Sequence, residues 1–239
     1  CSLAFGISLD ELEKELLRYL GAGTFNTLRY TIDASNKTPV GTPTPVRGEE
    51  VTYAVGSLFA RSPNAREEGK ALLQSATSMN ARRPETLAAL GMLADDFKPG
   101  SGDALFEKAV ALGTGKAVVY RQYGRALLDR QKETVDVAAA KKAREMFAKS
   151  VELNPRVAEG YIGLGVTYLM LPGDPAPGIA ALQKGLELSP ANTNAAMNLV
   201  SLLVRSGDRD AANAVIDKNI VPYADAELLQ RAHGLVEKK

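Results

Sequence analysis

Few residues in this chain could carry chemistry. One Cys, Cys1, and one His, His233, stand near opposite ends of 239 residues. That inventory excludes a thiolate or imidazole metal cage, a disulfide framework and any triad needing a mid-chain His. H-E-x-x-H, which sets two imidazoles one helical turn apart on zinc, is absent. Gly113-Thr114-Gly115-Lys116 falls short of the G-x-x-x-x-G-K-[ST] phosphate loop, and no strand precedes it. Asp95-Asp96 has no acid or base partner at a fixed separation and reads as a solvated helix end. The cations Arg130, Lys132, Lys141, Lys142, Arg144 and Lys149 are offset by Asp129, Glu133, Asp136 and Glu145, and read as a solvated face. Arg121 and Arg125 are different: four residues apart on a helix, they point the same way, a mildly unfavourable arrangement unless a carboxylate lies between them. Glu85, Asp95, Glu159 or an acidic residue of a bound peptide is expected there. A purely structural pairing with nearby carboxylates is the competing reading. No catalytic residue, cofactor or metal is expected.

The charge balance narrows the partners. With 29 Lys+Arg against 28 Asp+Glu the net charge is +1, too small a field to hold nucleic acid or an anionic membrane surface. No apolar run approaches the roughly 20 residues that span a bilayer, so membrane insertion is not expected. Cys1 has two readings: the lipid-bearing first residue of a bacterial lipoprotein, or a fragment boundary. Phe5-Gly6-Ile7-Ser8 runs straight into a helix with no polar tether, which favours the boundary.

The elements that must position these residues follow from periodicity. Ser8 and Glu11 have capping-box spacing, and Leu9, Leu12, Leu16, Leu17 and Leu20 make one amphipathic helix over 8–20. Leu28, Tyr30 and Ile32 alternate, so 24–32 reads as extended, and the Pro/Thr-rich stretch from Ala34 to Gly48 reads as a linker. From Glu49 on, pairs of short amphipathic helices recur, broken at Ser62-Pro63, Arg83-Pro84, Pro99-Gly100, Gly113-Thr114-Gly115, Asn154-Pro155, Pro172-Gly173 and Ser189-Pro190. Gly56, Gly91, Gly124 and Gly165, with Val200 in the fifth slot, give a repeat of about 34 residues. The Gly124–Gly165 interval is longer by about two helical turns, and the extra residues are expected to lengthen the helices around Arg130 to Lys142. Asp225 can cap a last helix from Ala226.

Tyr161, Leu164-Gly165 and Tyr168, preceded by Ala143, Phe147 and Pro155, resemble the tetratricopeptide repeat pattern; Tyr120, Tyr123-Gly124, Leu127 and Leu87, Leu90-Gly91, Ala94 follow it in earlier repeats. The resemblance implies an all-α, right-handed superhelix of about five helix-turn-helix repeats, near 49–82, 84–116, 117–157, 158–192 and 193–224, with a cap over 225–239. Residues 1–48 precede it as helix and linker. The family's use is non-catalytic binding of a peptide or helix in a concave groove. Carried over by repeat position, the groove includes Tyr53, Met92, Asp95, Arg121, Arg125, Glu159 and Ile162. Chaperone-binding members clamp a peptide's terminal carboxylate with Lys, Asn, Asn, Lys and Arg. Only Arg121 and Arg125 resemble that set, and Tyr53, Ser57 and Met92 replace the rest. A ligand with an acidic residue followed by apolar anchors is therefore expected.

Ala4 to Leu9, with Leu12-Glu13 and Tyr19, loosely resemble the closing helix of gluzincin-like peptidase domains that precede such repeats in some bacterial proteins. On that reading the chain is the accessory, substrate-positioning or regulatory C-terminal domain of a zinc peptidase whose catalytic domain lies upstream of this chain. Either the peptidase or the lipoprotein reading implies an extracytoplasmic location.

Overall fold

The computed structural model describes residues 47–131 and 135–237. The chain divides between Pro45 and Val46, and the described residues belong to the second unit. The helix expected over 8–20, its peptidase resemblance and the extended segment 24–46 lie outside the described residues.

The described residues form eleven α-helices and no strand. Five hairpins follow one another: α1 (Gly48–Phe59) with α2 (Arg66–Met79), α3 (Pro84–Phe97) with α4 (Asp103–Ala111), α5 (Ala117–Asp129) with α6 (Val137–Leu153), α7 (Ala158–Met170) with α8 (Ala176–Leu188), and α9 (Thr193–Ser206) with α10 (Arg209–Asn219). A closing helix, α11 (Ala226–Glu237), packs on α9 and α10. Each second helix also touches the next first helix, and α3, α5, α7, α9 and α11 pack in succession to make one wall.

Local chemistry sets the boundaries. The side chains of Asp136, Asn192, Asp208 and Asp225 accept the free backbone N–H groups that open α6, α9, α10 and α11. Pro84 opens α3 where its missing N–H costs nothing. Gly207 closes α9 at φ 87°, a left-handed cap.

The in-register glycines sit where hairpin helices cross. A Cβ on Gly124 would lie 2.9 Å from the Phe147 ring, and one on Gly165 2.4 Å from Leu182 Cγ. Close approach at these points lets Phe106, Phe147 and Leu182 fill the space beside the backbone. Burial continues along the array in three clusters, around Leu73 and Leu93, around Phe106, Tyr123 and Phe147, and around Leu182, Leu199 and Ile216.

The long third repeat lengthens one of its two helices: α5 ends at Asp129 after 13 residues, whereas α6 starts at Val137 and has 17 residues. Gln131 explains the turn: its Nε2 donates to Leu127 O and its Oε1 accepts from Asp136 N, so one side chain closes α5 and places the cap of α6.

The basic face around 130–149 is also not simply solvated. Arg130 forms a bidentate pair with Asp95, its side chain 16% exposed. Lys142 Nζ donates to Glu107 at 2.8 Å and lies 4.9 Å over the Tyr123 ring. Arg144 donates to Thr167 Oγ1 and Thr167 O and stacks 3.7 Å over Tyr168. These cations tie one repeat to its neighbour.

Candidate binding groove

The first helices of four successive hairpins line a groove of about 800 Å³. Met92 and Leu93 of α3, Leu128 of α5, and Ile162, Val166 and Met170 of α7 supply its apolar floor, while Tyr53 of α1 stands at one end. Every first helix presents the residues of one face, three or four apart, so stacking turns four short stripes into one surface.

Six of the seven carried-over residues line this groove: Tyr53, Met92, Arg121, Arg125, Glu159 and Ile162. Asp95 does not. Its carboxylate, 8% exposed, accepts from Arg130 and from the backbone N–H groups of Gly100 and Gly102, which makes it a structural tie, and Asp96 lines the groove in its place. Asp95 is therefore neither a groove residue nor a solvated helix end. Asp96 pairs with Arg66 at 3.4 Å.

Arg121 and Arg125 both face the groove, and each meets one carboxylate. Arg121 Nη1 lies 3.4 Å from Glu159 Oε2 on the next first helix, and Arg125 Nε lies 3.3 Å from Asp129 on its own helix. Glu85 takes neither role; it is buried at the start of α3. Arg61 also lines the groove and makes no ion pair among the described residues. Four guanidiniums, from Arg61, Arg66, Arg121 and Arg125, thus stand against three carboxylates, from Asp96, Asp129 and Glu159. Burial pushes the Tyr53 phenol above its ordinary value, and the Arg83 guanidinium lies 4.8 Å over its ring.

Repeat position does not reveal two parts of the groove. Phe147, from a second helix, reaches its floor because Gly163 has no side chain: a Cβ there would lie 2.2 Å from the Phe147 ring. The signal in the sequence is Gly163 itself, two residues before Gly165 and so on another face of α7. Gln122 is the second, its buried Oε1 without a hydrogen-bond partner. In the fifth repeat, Met197 and Ser201 line a separate cavity of about 450 Å³ against Arg231, Gly234 and Leu235 of α11. Among the described residues no group of three or more His, Cys, Asp or Glu is placed to hold a metal ion, and no helix is long and apolar enough to cross a membrane.

No family model matches the chain. It is 38% identical over 87 residues to the Hsp70-Hsp90 organizing protein of Triticum aestivum, a stretch that covers 36% of this chain and only 14% of that protein. PilF of Pseudomonas aeruginosa superposes with a TM-score of 0.63 at 19% identity, covering 79% of this chain and 83% of that one. YrrB, a tetratricopeptide repeat protein described as having an unusual peptide-binding site, superposes with a TM-score of 0.58 at 19% identity, covering 76% and 90%. Hairpin order, glycine register and these superpositions agree that the described chain has the tetratricopeptide repeat fold.

Proposed function

We propose that the chain is a non-catalytic interaction scaffold whose groove takes a peptide or helix carrying an acidic residue followed by apolar anchors. The observation that carries this reading is the pairing of an apolar floor with guanidiniums held only by exposed carboxylates. Glu159 and Asp129 are 70% and 61% exposed, and exposed ion pairs contribute only about 0.2–1 kcal/mol. An incoming carboxylate can therefore take over Arg121 or Arg125 at little cost, with bidentate geometry that Lys could not offer. Apolar side chains of the ligand would then displace water from Met92, Leu128, Ile162 and Val166. The peptide-binding site described for YrrB supports peptide binding by this fold; its place in the groove and the ligand chemistry proposed here rest on this chain's own residues.

Selection from a random peptide display library on the full chain tests the reading. Enriched sequences should share an Asp or Glu followed by two or more large apolar residues. Enrichment of basic or uniformly polar peptides, or of none, would contradict it.

A further inference from the structure

The face that carries the groove does not stop at α7. Met197 and Ser201 of α9 follow Ile162 and Val166 of α7 by the interval that separates Gly165 from Val200, so they occupy the same face one repeat further on. There they line the cavity of about 450 Å³ between α9 and α11, a volume within the range of ligand sites. Met197 and Leu235 give it apolar walls, Asn198, Ser201 and Arg231 are its polar side chains, and no carboxylate lines it. Arg231 makes no ion pair or side-chain hydrogen bond among the described residues, and neither does the amide of Asn198. The Ser201 hydroxyl already donates to Met197 O at 2.9 Å. The free donors are therefore a guanidinium and an amide, a set that suits a carboxylate.

We propose that the ligand of the groove carries a second acidic residue beyond its apolar anchors, received by Arg231 and Asn198 with its methylene stem against Met197 and Leu235. This rests on the groove reading above and extends it along the same wall. A single exposed guanidinium is too weak to hold a free acid. A peptide whose anchors already sit on α7 brings its next residues to high local concentration, so the same contact then adds to affinity. Spacing follows from the stacking. From the arginines of α5 to Arg231 of α11 is three helix-to-helix steps of about 8–10 Å, or about seven to nine residues of extended chain at about 3.3 Å each.

Calorimetric titration of the full chain tests this with one selected acidic–apolar peptide, amidated at its C-terminus and extended by a Gly/Ser spacer. A single Glu is placed in turn at the sixth to the tenth position after the first acidic residue. Against the spacer without Glu, one or two neighbouring placements should raise affinity about threefold or more. Arg231→Gln should remove that gain without changing affinity for the spacer peptide, and Arg231→Glu should turn it into a loss. Arg231 is exposed, so neither substitution should lower the melting temperature by more than about two degrees. No gain at any position, an equal gain at every position, or a gain that survives Arg231→Gln would overturn the second contact and leave the groove reading standing. Failure of the spacer peptide itself to bind would overturn the groove reading, and this proposal with it.

Discussion

Arg130 grips both carboxylate oxygens of Asp95, Nε to Oδ2 at 2.6 Å and Nη2 to Oδ1 at 2.8 Å, while its Nη1 donates to Asp103 at 2.9 Å. One guanidinium thereby holds the end of α3, the start of α4 and the end of α5. Removing it leaves Asp95, 8% exposed, as an uncompensated charge. Arg130→Ala should cost about 3 kcal/mol, read from urea unfolding, and Arg130→Lys should recover little because it cannot form the bidentate pair. Loss below about 0.5 kcal/mol would mean that water replaces the guanidinium.

Two glycine substitutions should move stability in opposite directions. A Cβ on Gly69 would lie 2.3 Å from Ala60 N and 2.7 Å from Ala60 Cα, so Gly69→Ala must force α1 and α2 apart. A loss of about 2 kcal/mol or more is expected from that overpacking. Gly234 sits inside α11 with nothing within 4 Å of its would-be Cβ, and Gly234→Ala should gain about 0.5–1 kcal/mol. Thermal unfolding of the two variants beside the wild type checks both signs.

The Glu107–Lys142 pair predicts a pH dependence with two shoulders. Its hydrogen bond to Glu107, then that to Tyr123, pushes Lys142 from 10.5 up to about 12, and Lys142 in turn holds Glu107 below its ordinary value of 4.5. A raised lysine contributes stability that is complete below its unfolded pKa and lost as pH rises through its folded one; a depressed carboxylate contributes stability present above its unfolded pKa and lost as pH falls through its folded one. The stability difference between wild type and Lys142→Met should therefore be level from about pH 5 to 10 and shrink on both sides. A difference that is constant from acid to alkali would remove the pair from the account.

The periodic part of this fold was legible because it is steric. Gly91, Gly124 and Gly165 mark crossings where a side chain does not fit, and such constraints repeat at the period of the hairpin. What was not legible is local polar closure. Asp95 occupies a groove position by register, yet the turn through Gly100 and Gly102 folds its N–H groups back onto that carboxylate, and nothing in repeat position anticipates it. A usable signal was present in the charge spacing. Asp95 with Arg130 and Glu107 with Lys142 are each 35 residues apart, about one repeat, so opposite charges at that separation mark ties between neighbouring hairpins. The point at which α6 begins was not legible for a similar reason, since Gln131 and Asp136 set it through side-chain bonds rather than through helix propensity.

The groove reading is tested most directly by calorimetric titration of one selected acidic–apolar peptide into the wild type and into Arg121→Ala/Arg125→Ala, with the melting temperature of each protein recorded beside it. Both arginines sit in ion pairs with exposed carboxylates, so the double variant should melt within a few degrees of the wild type while its affinity falls by about a hundredfold or more, the loss of two charge-assisted contacts. An unchanged affinity, or a loss of binding accompanied by a large drop in melting temperature, would contradict the assignment of these two guanidiniums to ligand recognition.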